Sequence, residues 1–219
     1  MDTSQSFNAI KEAHQLSCEP EKLEQYYDKW SSKYDSDVSD ESYYGPEYLA
    51  NYLAEVLQNK LNIDPKKNTE IEILDAGCGT GLVGIALKHK GFQNVDGFDI
   101  SNKMVEIAKQ SEGYRYLRGG CDLTSRIEAY KDNQYSVTVS CGVFTLGHVP
   151  PIALEELIRI TKQGGLLLVS TRKSYYDSSD FQTVCDRLQK EGKFSLIDSV
   201  MDSPYIAEEQ AHYWAFVIS

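Results

Sequence analysis

The chain has 219 residues, enough to bury a substantial core within one domain. Its 22 basic and 33 acidic residues give a net charge of −11 at pH 7, which disfavours nucleic acid as a partner. Five cysteines and four histidines are scattered without CxxC spacing, so we expect neither disulfides nor a metal site. No signal-peptide pattern and no membrane-spanning apolar run is present, and we expect a cytoplasmic protein without membrane contact.

The first predicted elements are two helices over residues 26–34 and 46–61. Seven of the 15 tyrosines lie between Tyr26 and Tyr52, together with Trp30. Such rings suit a cover over a charged, partly apolar ligand, although helix packing against a sheet would use them equally well. We predict a helical lid over residues 1–62 and a core domain over residues 63–219.

A strand predicted over residues 71–75 ends at Asp75 and runs into a turn with glycines at 77, 79 and 81. Alternate glycines let a ligand approach the backbone, and a helix from residue 82 points free N–H groups at the same place. A carboxylate fits this helix end, and Asp75 supplies the opposite charge, as an α-amino acid moiety requires. The GxGxxG dinucleotide pattern also matches from Gly79, but its first glycine would then not follow the strand directly.

The next strand, predicted over residues 94–99, ends at Asp99, whose carboxylate can accept both hydroxyls of a ribose. Ser101 is placed to cap a helix over residues 102–110. Met104 on that helix either flanks an adenine ring or packs against the sheet.

A third strand, over residues 114–118, leads into a loop containing Asp122 and Leu123. There Asp122 either accepts the adenine amino group, with Leu123 against the ring, or forms an Asx turn. A fourth strand over residues 135–141 leads into a second loop containing His148. This histidine could take a proton from an acceptor, but the same position suits a loop residue bonded to the backbone.

The remaining predicted elements are a helix (152–162), a strand (166–171), a helix (180–191) and two strands (194–200 and 211–218). Strands that alternate with helices predict βαβ units around a parallel sheet. The two adjacent strands at the end depart from this alternation.

Several segments together resemble class I S-adenosylmethionine (SAM) methyltransferases. They are Tyr27-Asp28-x-Trp30 with Tyr34-Asp35, the stretch from Asp75 to Gly81, Gly97-Phe98-Asp99-Ile100-Ser101, and Thr171-Arg172. The likeness is closest to the methyltransferase-like proteins named after the Williams–Beuren syndrome chromosomal region and covers roughly residues 26–219. Gln163 stands where a proline is usual before Gly164.

The resemblance implies a Rossmann-like α/β fold: a seven-stranded, mostly parallel sheet with an antiparallel last strand, helices on both faces and an N-terminal helical lid. It implies SAM as cofactor and S-adenosylhomocysteine (SAH) as product, with Trp30 and Tyr34 over the methionine end. The candidate cofactor residues are Trp30, Tyr34, Asp75, Gly77, Cys78, Gly79, Gly81, Asp99, Ile100, Met104, Asp122, Leu123 and Cys141.

We expect the methyl acceptor to be a small molecule attacked at oxygen or nitrogen. The candidate acceptor contacts are Tyr27, Tyr44, His148, Arg172 and Tyr205, with His148 also the candidate catalytic base. A protein side chain as acceptor, or SAM binding without turnover, are the alternatives. No sequence feature indicates an oligomeric state.

Overall fold

The computed structural model describes residues 12, 13, 15, 16 and 18–219, and within them a single seven-stranded sheet has the order β3-β2-β1-β4-β5-β7-β6. The strands are β1 (Glu72–Ala76), β2 (Asn94–Phe98), β3 (Tyr116–Arg118), β4 (Tyr135–Phe144), β5 (Thr161–Arg172), β6 (Phe194–Ile206) and β7 (Glu209–Ile218). The β7 strand pairs antiparallel with both β5 and β6, whereas strands β1 to β5 pair in parallel. The predicted fold class and its antiparallel last strand are confirmed.

Seven α-helices accompany these strands in the described part of the chain. They are α1 (Pro20–Asp40), α2 (Gly45–Asn59), α3 (Leu82–His89), α4 (Asn102–Ala108), α5 (Leu154–Ile160), α6 (Lys173–Ser178) and α7 (Phe181–Lys190). Proline lies in the first turn of α1 and α2, where its missing N–H has no intrahelical partner to lose. Ser101 caps α4 as predicted, because its Oγ accepts the Met104 N–H.

Helices cover both faces of the sheet because its central strands are apolar on both sides. Ile73 and Leu168 belong to a core that includes Leu49 and Leu53 of α2. Their neighbours in sequence, Leu74 and Leu167, belong to the opposite core together with helices α5 and α7. Successive side chains of a strand point to opposite faces, so a continuous apolar run fills two layers at once.

Several boundaries differ from the predicted ones, and tertiary contacts explain the differences. The predicted helix over 152–162 ends at Ile160, because Thr161 pairs with Tyr135 and begins β5. Helix α1 is longer than predicted, the helix α6 was not predicted, and β4 continues to Phe144 through an irregular register after Ser140. The boundary at residue 62 between lid and core stays a prediction, although α2 contributes several fully buried side chains to the sheet core.

The parallel strands β1, β2, β4 and β5 bring their carboxyl ends to one edge of the sheet. Strand order reverses between β1 and β4, which makes the gap between them a topological switch point, where open α/β sheets bind ligands. Within the described residues, no helix has the length and apolar character needed to cross a lipid bilayer.

Candidate functional site

The turn after β1 has the backbone conformation that only glycine adopts easily. Gly77, Gly79 and Gly81 have φ angles of +81°, +52° and +102°. A Cβ on Gly77 would overlap the Val143 side chain, whereas a Cβ on Gly79 would meet no atom within 4 Å and would stand in open space. Gly77 and Gly79 line the larger of two adjoining cavities at this edge of the sheet. The turn therefore exposes backbone to this cavity, and ligand binding there stays a prediction.

Asp75 is fully buried at the end of β1 and does not line the larger cavity. Its Oδ2 accepts a hydrogen bond from the Tyr114 hydroxyl at 2.6 Å, while its Oδ1 has no partner among the described residues. Burial raises the pKa of Asp75 to about 7. The hydrogen bond from Tyr114 lowers this pKa, and the nearby charge of Asp99 raises it further. An unpaired buried carboxylate oxygen next to the glycine turn fits a cationic group such as an ammonium.

Asp99 lines the cavity at the end of β2. Its Oδ2 accepts the Gly79 N–H and its Oδ1 accepts the Ser101 N–H, both at 2.9 Å. Each oxygen keeps a second lone pair for a ligand hydroxyl. Burial raises the pKa of Asp99 to about 6, although backbone N–H groups of Ser101, Gly79 and Ile100 lower it.

Asp122 forms the predicted Asx turn and Met104 packs against the sheet, while their contact with an adenine ring stays a prediction. Asp122 Oδ1 accepts the Thr124 N–H at 2.8 Å, which is an Asx turn, and the residue also lines the cavity. Met104 is buried against the sheet and lines the cavity too. The chain therefore uses these side chains for local structure and for the cavity wall together.

Most predicted cofactor residues meet in this cavity. Those that line it are Tyr34, Gly77, Gly79, Asp99, Ile100, Met104, Asp122, Leu123 and Cys141. Trp30, Asp75, Cys78 and Gly81 do not. Sequence reasoning missed Pro20, Leu23, Phe98, Cys121, Thr124, Gly142, Val143 and Val149, which line it as well. Most of these are apolar wall residues without a motif, so only the fold brings them here.

Two aspartates fasten helix α1 over the cavity. Asp28 Oδ1 accepts the Ser101 hydroxyl at 2.6 Å and the Lys103 N–H at 3.2 Å. Asp35 Oδ1 accepts the Thr80 hydroxyl within the glycine turn. Both residues belong to segments that carry the family resemblance, but no role was predicted for them. The Tyr-Asp pair recurs after seven residues, which is about two helical turns and keeps both pairs on one face.

Aromatic rings fill the face of α1 that points to the sheet edge. Trp30 lies between Tyr27 and Tyr34, with ring centroids 5.9 and 4.8 Å away. Its Nε1–H donates to Asp37 Oδ2 at 2.7 Å. Trp30 lines the smaller cavity, whereas Tyr27 and Tyr34 line both cavities.

His148 and Tyr27 form a hydrogen-bonded pair between the two cavities. Nδ1 of His148 lies 2.8 Å from the Leu146 carbonyl oxygen, which only accepts, so Nδ1 carries the proton. In the neutral imidazole, Nε2 therefore accepts the Tyr27 hydroxyl at 2.5 Å. His148 is at once a loop residue bonded to the backbone and a group that lines both cavities.

The smaller cavity holds about 30 Å³. It contains four of the predicted acceptor contacts, Tyr27, His148, Arg172 and Tyr205. The fifth, Tyr44, has a half-exposed side chain and lines neither cavity. Its neighbour Tyr43 lies there instead, with its hydroxyl 3.1 Å from the Tyr205 hydroxyl, and the sequence carries no signal that separates the two.

The described part of the chain contains no cluster of side chains that could ligate a metal ion. No group of three or more histidine, cysteine, aspartate or glutamate side chains there lies close enough together to hold an ion.

Comparisons with known proteins agree with this geometry. Residues 46–217 match a family model described as a methyltransferase domain. Human (Homo sapiens) methyltransferase-like protein 27 is 31% identical over 189 residues, which cover 84% of this chain and 72% of the relative. Malonyl-[acyl-carrier protein] O-methyltransferase of Serratia marcescens is 34% identical over 101 residues, 46% of this chain and 38% of that protein.

Solved structures show the same fold. Magnesium protoporphyrin IX methyltransferase from Synechocystis PCC 6803 with bound SAH superposes with a TM-score of 0.58 at 20% identity, covering 79% of this chain and 83% of the other. A TehB-like SAM-dependent methyltransferase from Corynebacterium glutamicum gives 0.51 at 20% identity, covering 80% and 100%.

The orphaned oxygen of Asp75, the open Gly79 position and the cavity-lining Asp99 fit the ammonium, methionine backbone and ribose of one ligand. The family resemblance and the predicted cofactor are thus confirmed. The chain belongs to the class I SAM-dependent methyltransferases, and its methyl donor is SAM.

Proposed function

We propose that the enzyme transfers the methyl group of SAM to an oxygen or nitrogen of a small-molecule acceptor held in the smaller cavity. The observation that carries this proposal is the pair of adjoining cavities, which share Tyr27, Tyr34, Gly142 and His148. A donor in one and an acceptor in the other would meet at these shared residues. The small volume and the cover by α1 favour a small molecule over a protein segment.

The cofactor would be held by groups of both signs. Gly77, Gly79 and Gly81 admit the methionine part to the backbone, with Asp75 near the ammonium. Asp99 accepts the ribose hydroxyls, while the adenine lies among Ile100, Met104, Asp122 and Leu123. Tyr34 and Cys141 complete the cavity wall, with Trp30 against Tyr34 on the side of the smaller cavity and Cys78 outside the wall. Bound SAM supplies a methyl group on a positively charged sulfur, a centre that needs no further activation.

The chain's own contribution to the reaction is alignment and a place for a proton. Alignment of nucleophile and methyl group within a closed cavity accounts for much of the rate of such transfers. An acceptor hydroxyl or amine that donates to the Tyr27 oxygen could pass its proton through Tyr27 to Nε2 of His148. The Nδ1–H bond to the Leu146 carbonyl holds the ring in the tautomer that this needs.

Oxygen as the acceptor atom has additional support from relatives. Two similar proteins carry O-methyltransferase in their names, the Serratia enzyme and the mitochondrial ubiquinone biosynthesis O-methyltransferase of Saccharomyces cerevisiae, which is 30% identical over 129 residues. Those alignments span 38% and 41% of the relatives' own lengths, so their substrates serve only as starting points for a screen.

The function is tested by incubating pure protein with SAM and the small-molecule fraction of a cell extract, and by measuring SAH release. Release with that fraction, and none with the protein fraction alone, supports the proposal. The reverse pattern favours a protein acceptor. Tight SAM binding with no release in either fraction favours a binding protein without turnover.

The proton path is tested with His148→Ala and Tyr27→Phe on the acceptor that emerges. We expect kcat to fall by about 10²- to 10⁴-fold in His148→Ala, the usual contribution of a positioned base. The control is His89→Ala, an exposed histidine at the end of α3. If His148→Ala retained full kcat, His148 would be a wall residue and alignment alone would serve.

A cytoplasmic location completes the proposal. All five cysteines are free thiols, and four of them are buried (Cys78, Cys121, Cys141, Cys185), as expected in a reducing compartment. The charge of −11 supports the absence of a nucleic-acid partner. Cell fractionation tests the location.

A further inference from the structure

Arg172, at the end of β5, is a buried cation with unused hydrogen-bonding capacity. Its side chain is 12% exposed, and its Nη1 lies 3.3 Å from Glu209 Oε2. Its Nε–H has no hydrogen-bond partner among the described residues. A buried guanidinium donor without a partner is costly, and a ligand that accepts from it would remove that cost.

Glu209 pairs with this cation from outside the smaller cavity. Its Oε1 is engaged by the Ser174 N–H at 2.8 Å, and Glu209 does not line the smaller cavity. Among the described residues around that cavity, Arg172 is the only one with a permanent charge. Arg172 therefore gives the cavity a positive group, and no carboxylate among the described residues lines it.

Phenol hydroxyls supply further polar atoms of this wall. Tyr43 and Tyr205 hydroxyls lie 3.1 Å apart and both border the cavity, and the Tyr205 ring centroid is 5.2 Å from Cζ of Arg172. Burial raises the pKa of Tyr205 to about 12 and that of Tyr43 well above its usual value. These phenols stay protonated at neutral pH and can donate to an anion.

The two ends of the smaller cavity differ. Arg172 and Tyr205 line it but do not line the cofactor cavity, whereas Gly142 and His148 line both. A Cβ on Gly142 would lie 2.9 Å from the Tyr205 hydroxyl oxygen and 3.0 Å from that of Tyr43. A ligand that spans the cavity would thus bind Arg172 through an acceptor group at one end and place its reacting atom near Gly142 and His148 at the other.

We propose that the acceptor is a small organic acid whose carboxylate binds Arg172, with its nucleophilic oxygen or nitrogen on the side of Gly142 and His148. This inference rests on the proposed function. A guanidinium offers a carboxylate several donors in one plane, which an ammonium does not. The volume of about 30 Å³ has room for a carboxylate, so the rest of the acid would extend past Gly142 and His148 toward the larger cavity. The charge of Arg172 disfavours cationic acceptors, including lysine side chains.

The test is calorimetric titration of the SAH-bound protein at constant ionic strength. Matched probes of equal size are sodium lactate against lactamide, and sodium salicylate against salicylamide. We expect each carboxylate to bind at least about tenfold tighter than its amide, as a charge-assisted pair with Arg172 requires. Arg172→Gln should abolish that preference, and Arg172→Lys should restore only part of it.

Two controls keep a loss of folding apart from a loss of the anion site. The double variant Arg172→Gln with Glu209→Gln removes both charges of the ion pair, so no carboxylate is left unpaired by the first substitution. SAH affinity should be unchanged in all variants, because Arg172 does not line the cofactor cavity.

Equal affinity for carboxylate and amide in the unaltered protein would overturn the inference, as would a preference that survives Arg172→Gln. Both results leave the proposed function standing, provided that SAH still binds. Failure of the unaltered protein to bind SAH would instead overturn the proposed function itself.

Discussion

The two cavities are built in different ways, although they share a wall. The cofactor side depends on the turn from Gly77 to Gly81 and on Asp99, a stretch of 23 residues whose backbone groups and one carboxylate create the site. The acceptor side is made mainly of side chains from α1, the loop after β4, β5 and β6. Changes to backbone geometry should therefore damage cofactor binding most, while the acceptor side should tolerate them and respond to changes of side chain.

The largest effect on the cofactor side is expected from Gly77→Ala. The added Cβ combines a positive φ, which costs about 1–2 kcal/mol for other residues, with overlap against Val143 in the cavity wall. We expect SAM affinity, measured by calorimetry, to fall by about 100-fold or more, roughly 3 kcal/mol. Gly164→Ala is the matched control: its φ is +73° with no atom within 4 Å of a Cβ. It should lower stability and leave SAM affinity alone, and an equal loss in both variants would contradict the backbone argument.

Next in size is Asp99→Ala. Loss of the hydrogen bonds from a ribose to this carboxylate should weaken SAM binding by about 1–3 kcal/mol, with the fold intact by circular dichroism. Asp186→Ala, an exposed aspartate on α7, serves as the control. Unchanged affinity in a folded Asp99→Ala protein would show that the ribose lies elsewhere. Binding of NAD tighter than that of SAM would contradict the whole cofactor assignment.

The pH dependence of SAM binding should reveal the titration of the Asp99 carboxylate. The pKa of Asp99 is about 6, and a ribose that donates to the ionised form lowers it in the complex. Binding then requires loss of a proton below pH 6, so affinity should fall as pH decreases, by up to about tenfold per pH unit. Asp75, whose pKa is about 7, should change SAM affinity in the same direction, because an ammonium also favours the ionised form of its carboxylate. Asp99→Asn should flatten the step near pH 6, and a profile that rises toward acid would contradict this assignment.

The smallest effect is expected where the two regions are joined by α1. Thr80→Val removes the hydroxyl that donates to Asp35, and we expect a loss of about 0.5–1.5 kcal/mol in SAM affinity, with Thr69→Val, an exposed position, as control.

The covering segment itself should respond to the cofactor. Hydrogen exchange should show residues 26–44 protected by SAH and less protected without it, because ligand contacts add to the stability of this segment. Equal protection in both states would make Trp30 and Tyr34 ordinary packing residues.

Much of the cofactor side could be predicted because its determinants are local. Asp75, the three glycines and Asp99 lie at strand ends in a pattern whose spacing alone places them together. Tyr44 illustrates where this reasoning stops. Tyr43 and Tyr44 are neighbours of one type before α2, and only packing against Tyr205 decides which ring enters the cavity. The end of α5 at Ile160 is similar, because pairing of Thr161 with Tyr135 ends the helix before the predicted boundary.

By itself the sequence determined the alternation of strands and helices, the glycine turn, the acid at the end of β2 and hence the cofactor. These depend on backbone freedom and on short-range spacing, which each residue carries with it wherever it is placed. Only the tertiary structure decided that Asp28 and Asp35 fasten α1 and that Tyr27 bonds His148 across 121 residues. It also decided that Arg172 borders a cavity with an Nε–H that no described residue accepts. Such contacts join side chains far apart in the chain, and their distances are set by the packing of whole elements around the sheet.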